Sequence, residues 1–478
     1  MESAPESPAK VPPAVPGGLA GTVDLTTGPI GRTLILFALP VMGANVLQSL
    51  NGSANAAIVS HVLGEAALAA TYSANIILFL VMGAGFGATM AANLMIGQAI
   101  GSNNLALAKQ VIGTATSFFA AVSRAMGLAG FLLAPTVLDL IQTPPDVRAD
   151  AIAYMRVIFL SVPFMFFFTY LMMAQRAVGD SRTPFWFSLV SVVLGVSLNP
   201  LLIIGVGPFP RLNITGSALA TLISQTITLA AMIYYLHRTR SLLILRREDW
   251  RLLTPDWSLV RTLLLKGLPM AIQMIVMSGS AVVMIGLVNG FGSHMAAAYG
   301  AANQFWIYVQ MPAMALGASV SSMAAINVGA GRMDRVNQIA WVGSLWGTAL
   351  TLAPILGIYA AESWLMQLFL PAASPATPLA IHINTIVLWG FLPFGVTFVV
   401  SSVVRATGAV WPPLIGMLLA MWVVRVPFAA VLIPYIGANA IWWSFPISAL
   451  TSALFAVAYY RWGGWRDYKL FDSSIRAE

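Results

Sequence analysis

From Leu34 to Tyr460 the chain runs through one long apolar stretch after another, with only short breaks of Gly, Pro or charged residues between them. About 20 mostly apolar residues are needed to carry a helix across roughly 30 Å of hydrocarbon, and these stretches meet that length repeatedly. Hydrocarbon offers the backbone no hydrogen-bond partner, so a spanning segment must be a helix or part of a closed barrel. The stretches lack the alternation of barrel strands, which leaves helices. Composition agrees, since 59% of residues are hydrophobic and 8% charged, where a soluble domain carries about 25% charged residues.

Twelve helices are expected, near residues 30–61, 67–99, 109–136, 149–176, 183–206, 214–237, 259–291, 295–326, 335–360, 375–404, 411–434 and 438–461. The formal charge of +8 reports topology rather than a polyanionic partner, and no nucleic acid is expected to bind. Of the 24 Lys and Arg, only Arg148 and Arg211 fall in segments on the outer side, and Arg124, Arg156 and Arg425 lie within spans. The other nineteen are on the inner side, which places both termini in the cytoplasm. The start, MESAPESPAKVPPAVPGG, is Pro-rich and has neither the basic start nor the apolar core of a cleaved signal, so residues 1–29 read as a disordered cytoplasmic tail. With no cysteine in the chain, disulfides, thiolate metal sites and thiol catalysis are excluded.

The longest internal polar stretch, Arg238 to Trp257, mixes Arg, Trp and Leu and is expected to lie as a helix on the cytoplasmic interface. It divides two related halves. At a shift of 228 to 230 residues Pro40 pairs with Pro269, Gly64 with Gly292, Asn75 with Asn303, Gly101 with Gly329 and Gln110 with Gln338. Pro163 likewise pairs with Pro393, Arg176 with Arg405, Gly179 with Gly408 and Pro184 with Pro413. An even number of helices per repeat gives both halves the same orientation, about an axis along the membrane normal, with a binding site expected between them. The expected organisation is a six-helix lobe over 30–240, a linker over 241–258, a second six-helix lobe over 259–463 and a cytoplasmic tail over 464–478.

The segment LFALPVMGANVLQSLNGSANAAIVSHVLGEAALAA resembles the first helix and loop of multidrug and toxic compound extrusion (MATE) transporters, and IGQAIGSNNLALAKQ the end of their second helix. KGLPMAIQ, GFGSHMAAAYGAANQ, INVGAGRMDRVNQ and QRAVGDSRTP followed by SLNPLLIIGVG carry the resemblance over about residues 30–460. It implies an all-α membrane protein of the bacterial inner membrane that exports small amphipathic, often cationic compounds, driven by inward flow of H+ or Na+. Members of this family usually place carboxylates within the bundle. Here the first-helix acid position falls on Asn55, a fifth-helix position on Asn199, a seventh-helix position on Met277 and a tenth-helix position near Phe394. All sixteen acids fall in tails, loops or helix ends, which puts the carboxylate route of ion coupling in question.

Asn45, Gln48, Asn51 and Asn55 are spaced by three, three and four residues and share one face of the first helix. Such a row reads either as hydrogen bonding between helices or as a polar cavity wall whose carbonyl oxygens can meet a hard cation or a substrate. The repeat shift turns this row into Met274, Met277, Ser280 and Met284, an oily counterpart that is either ordinary packing or an adaptable binding wall. Tyr72, Asn75, Tyr299, Asn303, Gln304 and Trp306, near the starts of the second helices of the halves, are candidates to extend the chamber, and Gln273 of KGLPMAIQ joins them. Arg156 has no acid nearby in sequence and is expected to meet a carbonyl, an amide or water, either as a functional charge or by snorkelling outward. His61, His294 and His382 near the outer helix ends are the candidate groups titrating near neutrality.

No paired acids for hydrolysis, metal-ligand cluster, phosphate-binding Gly-rich loop or nucleophile elbow is present, so no cofactor and no enzymatic activity are expected. The working expectation is a monomeric antiporter-like exporter moving a solute between the halves by alternating access. Two alternatives stand beside it: a flippase for lipid-linked sugars or polysaccharides from the wider superfamily, and a non-transporting membrane scaffold or sensor.

Overall fold

A computed structural model describes residues 23–140, 143, 145–205, 210–366 and 374–471. Among the described residues, twelve helices are long and apolar enough to cross a membrane. The first lobe contains α1 (Ile30–Leu63), α2 (Glu65–Gly101), α3 (Leu105–Leu140), α4 (Pro145–Ala177), α5 (Arg182–Ile204) and α6 (Asn213–Arg238). The second contains α7 (Trp257–Asn289), α8 (Ser293–Gly329), α9 (Met333–Met366), α10 (Ala376–Ala406), α11 (Trp411–Ile436) and α12 (Asn439–Trp462). No strand occurs among the described residues. A short 3-10 turn, Leu388–Gly390, interrupts α10, and a π-helical turn, Leu419–Arg425, interrupts α11.

Bulky apolar residues such as Leu132 and Leu133 on α3 and Ile275 and Val282 on α7 stay exposed because lipid is their solvent. Trp257, Trp341, Trp364 and Trp462 are exposed toward helix ends, where an indole has apolar and polar neighbours at once. Residues 1–22 of the expected N-terminal tail and 472–478 of the C-terminal tail lie outside the described residues.

Between the lobes, the expected interfacial helix is instead a loop with one 3-10 turn, Arg247–Leu253, docked on α3. Lys109 Nζ holds Asp249 at 3.0 Å, Gln110 Nε2 donates to Asp256 Oδ2 at 2.9 Å, and Ser117 Oγ donates to the Leu253 carbonyl at 2.5 Å. These polar contacts draw the linker onto the cytoplasmic end of the first lobe. The same Asp256 caps α7 by accepting from the Ser258 and Leu259 amides.

The segment before α1 does the reciprocal thing and docks on the second lobe. Asn327 Nδ2 donates to the Leu25 carbonyl at 3.0 Å, Arg332 Nη1 to Thr26 O at 2.6 Å, and Arg335 to the carbonyls of Thr27 and Gly28, each at 3.1 Å. Each lobe therefore carries the leading segment of the other. Asp24 within this segment is held below the usual carboxylate range: burial opposes the shift, and hydrogen bonds from Thr26 and Thr27, with the Arg332 charge, outweigh it.

The lobes meet along the inner halves of α2, α7 and α8. Asn93 and Ser322, repeat-related positions 229 apart, hydrogen-bond to each other across this face at 3.2 Å. Gln98 Nε2 donates to the Ala406 carbonyl at 2.6 Å. Backbones approach so closely that a Cβ at Gly101 would lie 1.9 Å from the Ile326 carbonyl oxygen, and one at Gly329 would lie 2.1 Å from that of Gln98. The outer halves do not close in this way. A Cβ at Gly52, Gly64, Gly286, Gly292 or Gly300 would meet nothing within 4 Å. With the positive charge marking the cytoplasmic side, the molecule is sealed inward and open outward.

Candidate functional site

The polar row on α1 looks into the first lobe, where α1, α2, α4, α5 and α6 enclose a chamber of about 420 Å3. Gln48, Asn51 and Asn55 form its α1 wall, and Asn75, Tyr154, Asn199 and Gln225 face them from the other helices. Gln48 and Asn75 are exposed. Apolar side chains, Leu78, Met82, Ile158 and Phe168 among them, complete the lining. An apolar wall with a few convergent polar groups suits a small amphipathic molecule.

At the outer end of this chamber, Asn55 Oδ1 accepts hydrogen bonds from both Asn199 Nδ2 and Ser217 Oγ, the latter at 2.7 Å. The Tyr154 hydroxyl hydrogen-bonds to Asn75 and Asn55. Nearby, Gln225 Nε2 donates to Ser191 Oγ at 3.3 Å. The Asn199 Oδ1 and Gln225 Oε1 atoms are buried without a hydrogen-bond partner. Two idle carbonyl oxygens at a lined cavity are what a donor ligand or a hard cation would satisfy, because a buried acceptor without a partner is costly. None of the residues lining the chamber is an acid, a Lys, an Arg or a His. Whatever binds here is recognised through amides, hydroxyls and apolar contact.

Several of these groups were not singled out from sequence. Tyr154 is an isolated Tyr on an apolar helix and carries no pattern. On α6, however, Ser217, Thr221, Ser224 and Thr228 recur at spacings of four, three and four, a stripe of the same kind as that on α1. That periodicity was the available signal for the opposite wall.

The remaining candidates separate from the chamber. Asn45 is half-buried one turn inward of Gln48 and is not part of the lining. The Tyr72 side chain lies outside the described residues. Arg156 is exposed on α4, outside the chamber lining, and stands over the Phe131 ring at 5.5 Å. Gln273 is buried near the seal, where its Oε1 accepts from Arg405 at 3.5 Å. Met277 is half-buried and Ser280 fully buried on α7, neither lining the chamber. Asn303 is half-buried and Gln304 exposed on α8.

The second lobe is filled where the first is hollow. Tyr299 packs edge-on to Trp306 at 5.5 Å and stacks with Trp442 at 6.0 Å, while Trp306 meets Phe445 at 5.2 Å. Trp306 Nε1 donates to Asn384 Oδ1 at 3.0 Å. Tyr299 and Trp306 are thus core residues of the second lobe rather than walls of the polar chamber. The three histidines stay away from the chamber. His61 bonds the Ala57 carbonyl at 2.9 Å, His382 bonds Asn439 at 2.7 Å, and His294 is exposed at the start of α8.

Two repeated six-helix lobes, an inward seal and a polar chamber open outward define a secondary-transporter architecture. The family model MatE matches residues 40–201 and 269–431, one match in each lobe. The chain belongs to the MATE family and is a multi-pass integral protein of the inner membrane.

Among its relatives, the probable multidrug resistance protein YoeA of Bacillus subtilis is 35% identical over 435 residues, covering 90% of this chain and 94% of that protein. An FAD transporter of Shewanella oneidensis is 28% identical over 320 residues, 66% of this chain and 69% of its own length. Among solved structures, an outward-facing MATE family transporter of the MOP superfamily superposes with a TM-score of 0.84 at 17% identity, covering 92% of this chain and 97% of that one. A MOP superfamily transporter from Pyrococcus furiosus, described as having a binding pocket of reverse polarity, gives 0.84 at 18% identity over the same shares. At these identities the superpositions speak to fold.

Proposed function

We propose that the protein exports small amphipathic compounds, drugs or toxic metabolites, by alternating access, and that a single chain suffices. The observation that carries this reading is the pairing of an outward-open, amide-lined chamber with a cytoplasmic seal built by both lobes. Such an arrangement releases solute outside and must break the seal to load from inside. The relatives named for multidrug resistance support the same substrate class.

Export is coupled to inward movement of H+ or Na+, and the chamber chemistry favours Na+. Amide and hydroxyl oxygens from Asn55, Asn199 and Ser217 are hard donors. No acid or His lines the chamber to carry a proton. Without a carboxylate the Na+ affinity is low, which suits release on every cycle.

Purified protein in proteoliposomes, loaded with a fluorescent amphiphile and given a Na+ gradient or a proton gradient separately, tests this reading. Gradient-driven movement that follows Na+ supports it. Movement that follows only the proton gradient overturns the choice of ion, and no movement under either gradient overturns export itself. The flippase alternative has no comparable support, since relatives at 35% and 30% identity are named probable multidrug resistance proteins.

A further inference from the structure

Arg425 sits about halfway along α11, at the end of the π-helical turn Leu419–Arg425. π turns occur mostly where a side chain has to be re-aimed, frequently at functional sites. The guanidinium makes one hydrogen bond, from Nε to Ser448 Oγ at 2.9 Å, and rests over the Phe445 ring at 4.5 Å. Its two terminal nitrogens hydrogen-bond to none of the described residues, and the side chain retains partial exposure. The ion pairs among the described residues, Lys109 with Asp249 and Arg148 with Asp139, both lie elsewhere.

A cation at membrane depth without a counter-charge is costly, and such residues persist at ligand or ion pathways. Two other buried arginines, Arg176 and Arg405, also lack an acid, but they lie in the last turns of α4 and α10 beside the cytoplasmic seal. Arg425 has no such closeness to the surface. At the repeat shift of 229 to 230 it corresponds to Val196 or Gly195, and Gly195 lines the chamber of the first lobe. It therefore lies at or next to the second-lobe counterpart of a chamber-wall position. Tyr299 interacts with its charge, and the aromatic group of Trp306, Trp442 and Phe445 stands beside it.

We propose that Arg425 is an anion-binding residue of the second lobe, and that the exported compounds include amphiphiles carrying a carboxylate, sulfonate or phosphate on an aromatic or apolar body. This rests on the export reading above and deepens it. The free end of the guanidinium supplies a two-pronged donor to the anionic group. The partly buried Phe445 ring, over which the guanidinium rests, offers an apolar surface to the body, and binding the anion neutralises the stranded charge. The preference is opposite to that of a cavity lined with carboxylates.

The test uses three matched probes, pyrenebutyrate, pyrenebutanol and a pyrenyl trimethylammonium, with purified full-length protein. Binding is read from tryptophan-to-pyrene energy transfer and export from proteoliposomes. Wild type is expected to bind pyrenebutyrate at least about tenfold more tightly than pyrenebutanol. Arg425→Gln should abolish that difference and leave pyrenebutanol binding unchanged, while Arg425→Lys keeps part of it.

Equal pyrenebutyrate affinity in wild type and Arg425→Gln overturns the proposal, as does a wild-type preference for the trimethylammonium probe. If Arg425→Gln fails to fold, Arg425→Lys decides, since an unaltered pyrenebutyrate affinity there is also fatal. Arg425-dependent binding without export would leave this site standing and sink the export reading. Export of pyrenebutyrate with no dependence on Arg425 would do the reverse.

Discussion

Replacing Gly101 with Ala attacks the cytoplasmic seal at one atom. The added Cβ would lie 1.9 Å from the carbonyl oxygen of Ile326, 2.8 Å from its carbon and 3.0 Å from the amide nitrogen of Ala330. All three are backbone atoms of or just beyond α8, so no rotamer change relieves the clash. Bringing the first contact out to 3.0 Å parts α2 and α8 by about 1.1 Å, which also strains the bonds from Asn93 to Ser322 and from Gln98 to Ala406. Overpacking of this kind costs about 2 kcal/mol, which shifts the balance away from the sealed state by roughly thirtyfold. Because the chain has no cysteine, Ser102→Cys and Asp334→Cys can carry spin labels on the cytoplasmic ends of the two lobes without background. Pulsed dipolar spectroscopy should show a sealed population at short distance in the otherwise unaltered protein and a shift to longer distances with Gly101→Ala. Gly300→Ala, placed where a Cβ meets nothing within 4 Å, serves as the control and should leave the distances alone. An unchanged distribution in Gly101→Ala would refute the assignment of this contact as the seal.

Asn55→Asp puts a titratable acid beside Asn199 and Ser217, so apparent Na+ affinity should rise with pH through the new carboxyl's pKa while wild type stays flat over that range. A flat response in the variant would remove Asn55 from the ion path. Arg332→Ala combined with Arg335→Ala removes three hydrogen bonds to residues 26–28, each worth about 1 kcal/mol. Deuterium exchange at residues 23–28 should then accelerate, and unchanged protection would mean that packing of the buried Leu25 alone holds the segment. The Lys109 hydrogen bond, then the Arg246 amide, hold the Asp249 carboxyl below its ordinary range. Its stabilising effect is therefore present above the unfolded-state pKa of about 3.9 and disappears as pH falls through the lower folded-state value. Asp249→Asn should lower the melting temperature slightly at pH 7, by no more than about 1 kcal/mol of stability for a partly exposed ion pair, and should match wild type near pH 2.

How far the sequence reached depended on whether a feature repeats along one helix. Span number, orientation and the halving of the chain were legible because lipid imposes a fixed length of apolar helix and because basic residues collect on one side. The face shared by Gln48, Asn51 and Asn55 was legible from spacing, and all three line the chamber. Tyr154, Ser217 and Gln225 were not, since their roles arise from helices that meet only on folding. The linker was misjudged in form because its Arg/Trp/Leu mixture fits an interfacial helix. Lys109, Gln110 and Ser117 on α3 instead satisfy its polar groups and hold it as a loop with a 3-10 turn.

Composition and repeat set the scaffold and confined acids to tails, loops and helix ends, because those are properties of single segments against the bilayer. Tertiary structure decided which half is hollow. Related sequences at the same fold positions leave a polar chamber in one lobe, while Tyr299, Trp306, Trp442 and Phe445 fill the other around Arg425. Cavity or core depends on side-chain volumes contributed by five helices at once, and no single stretch of sequence carries that sum.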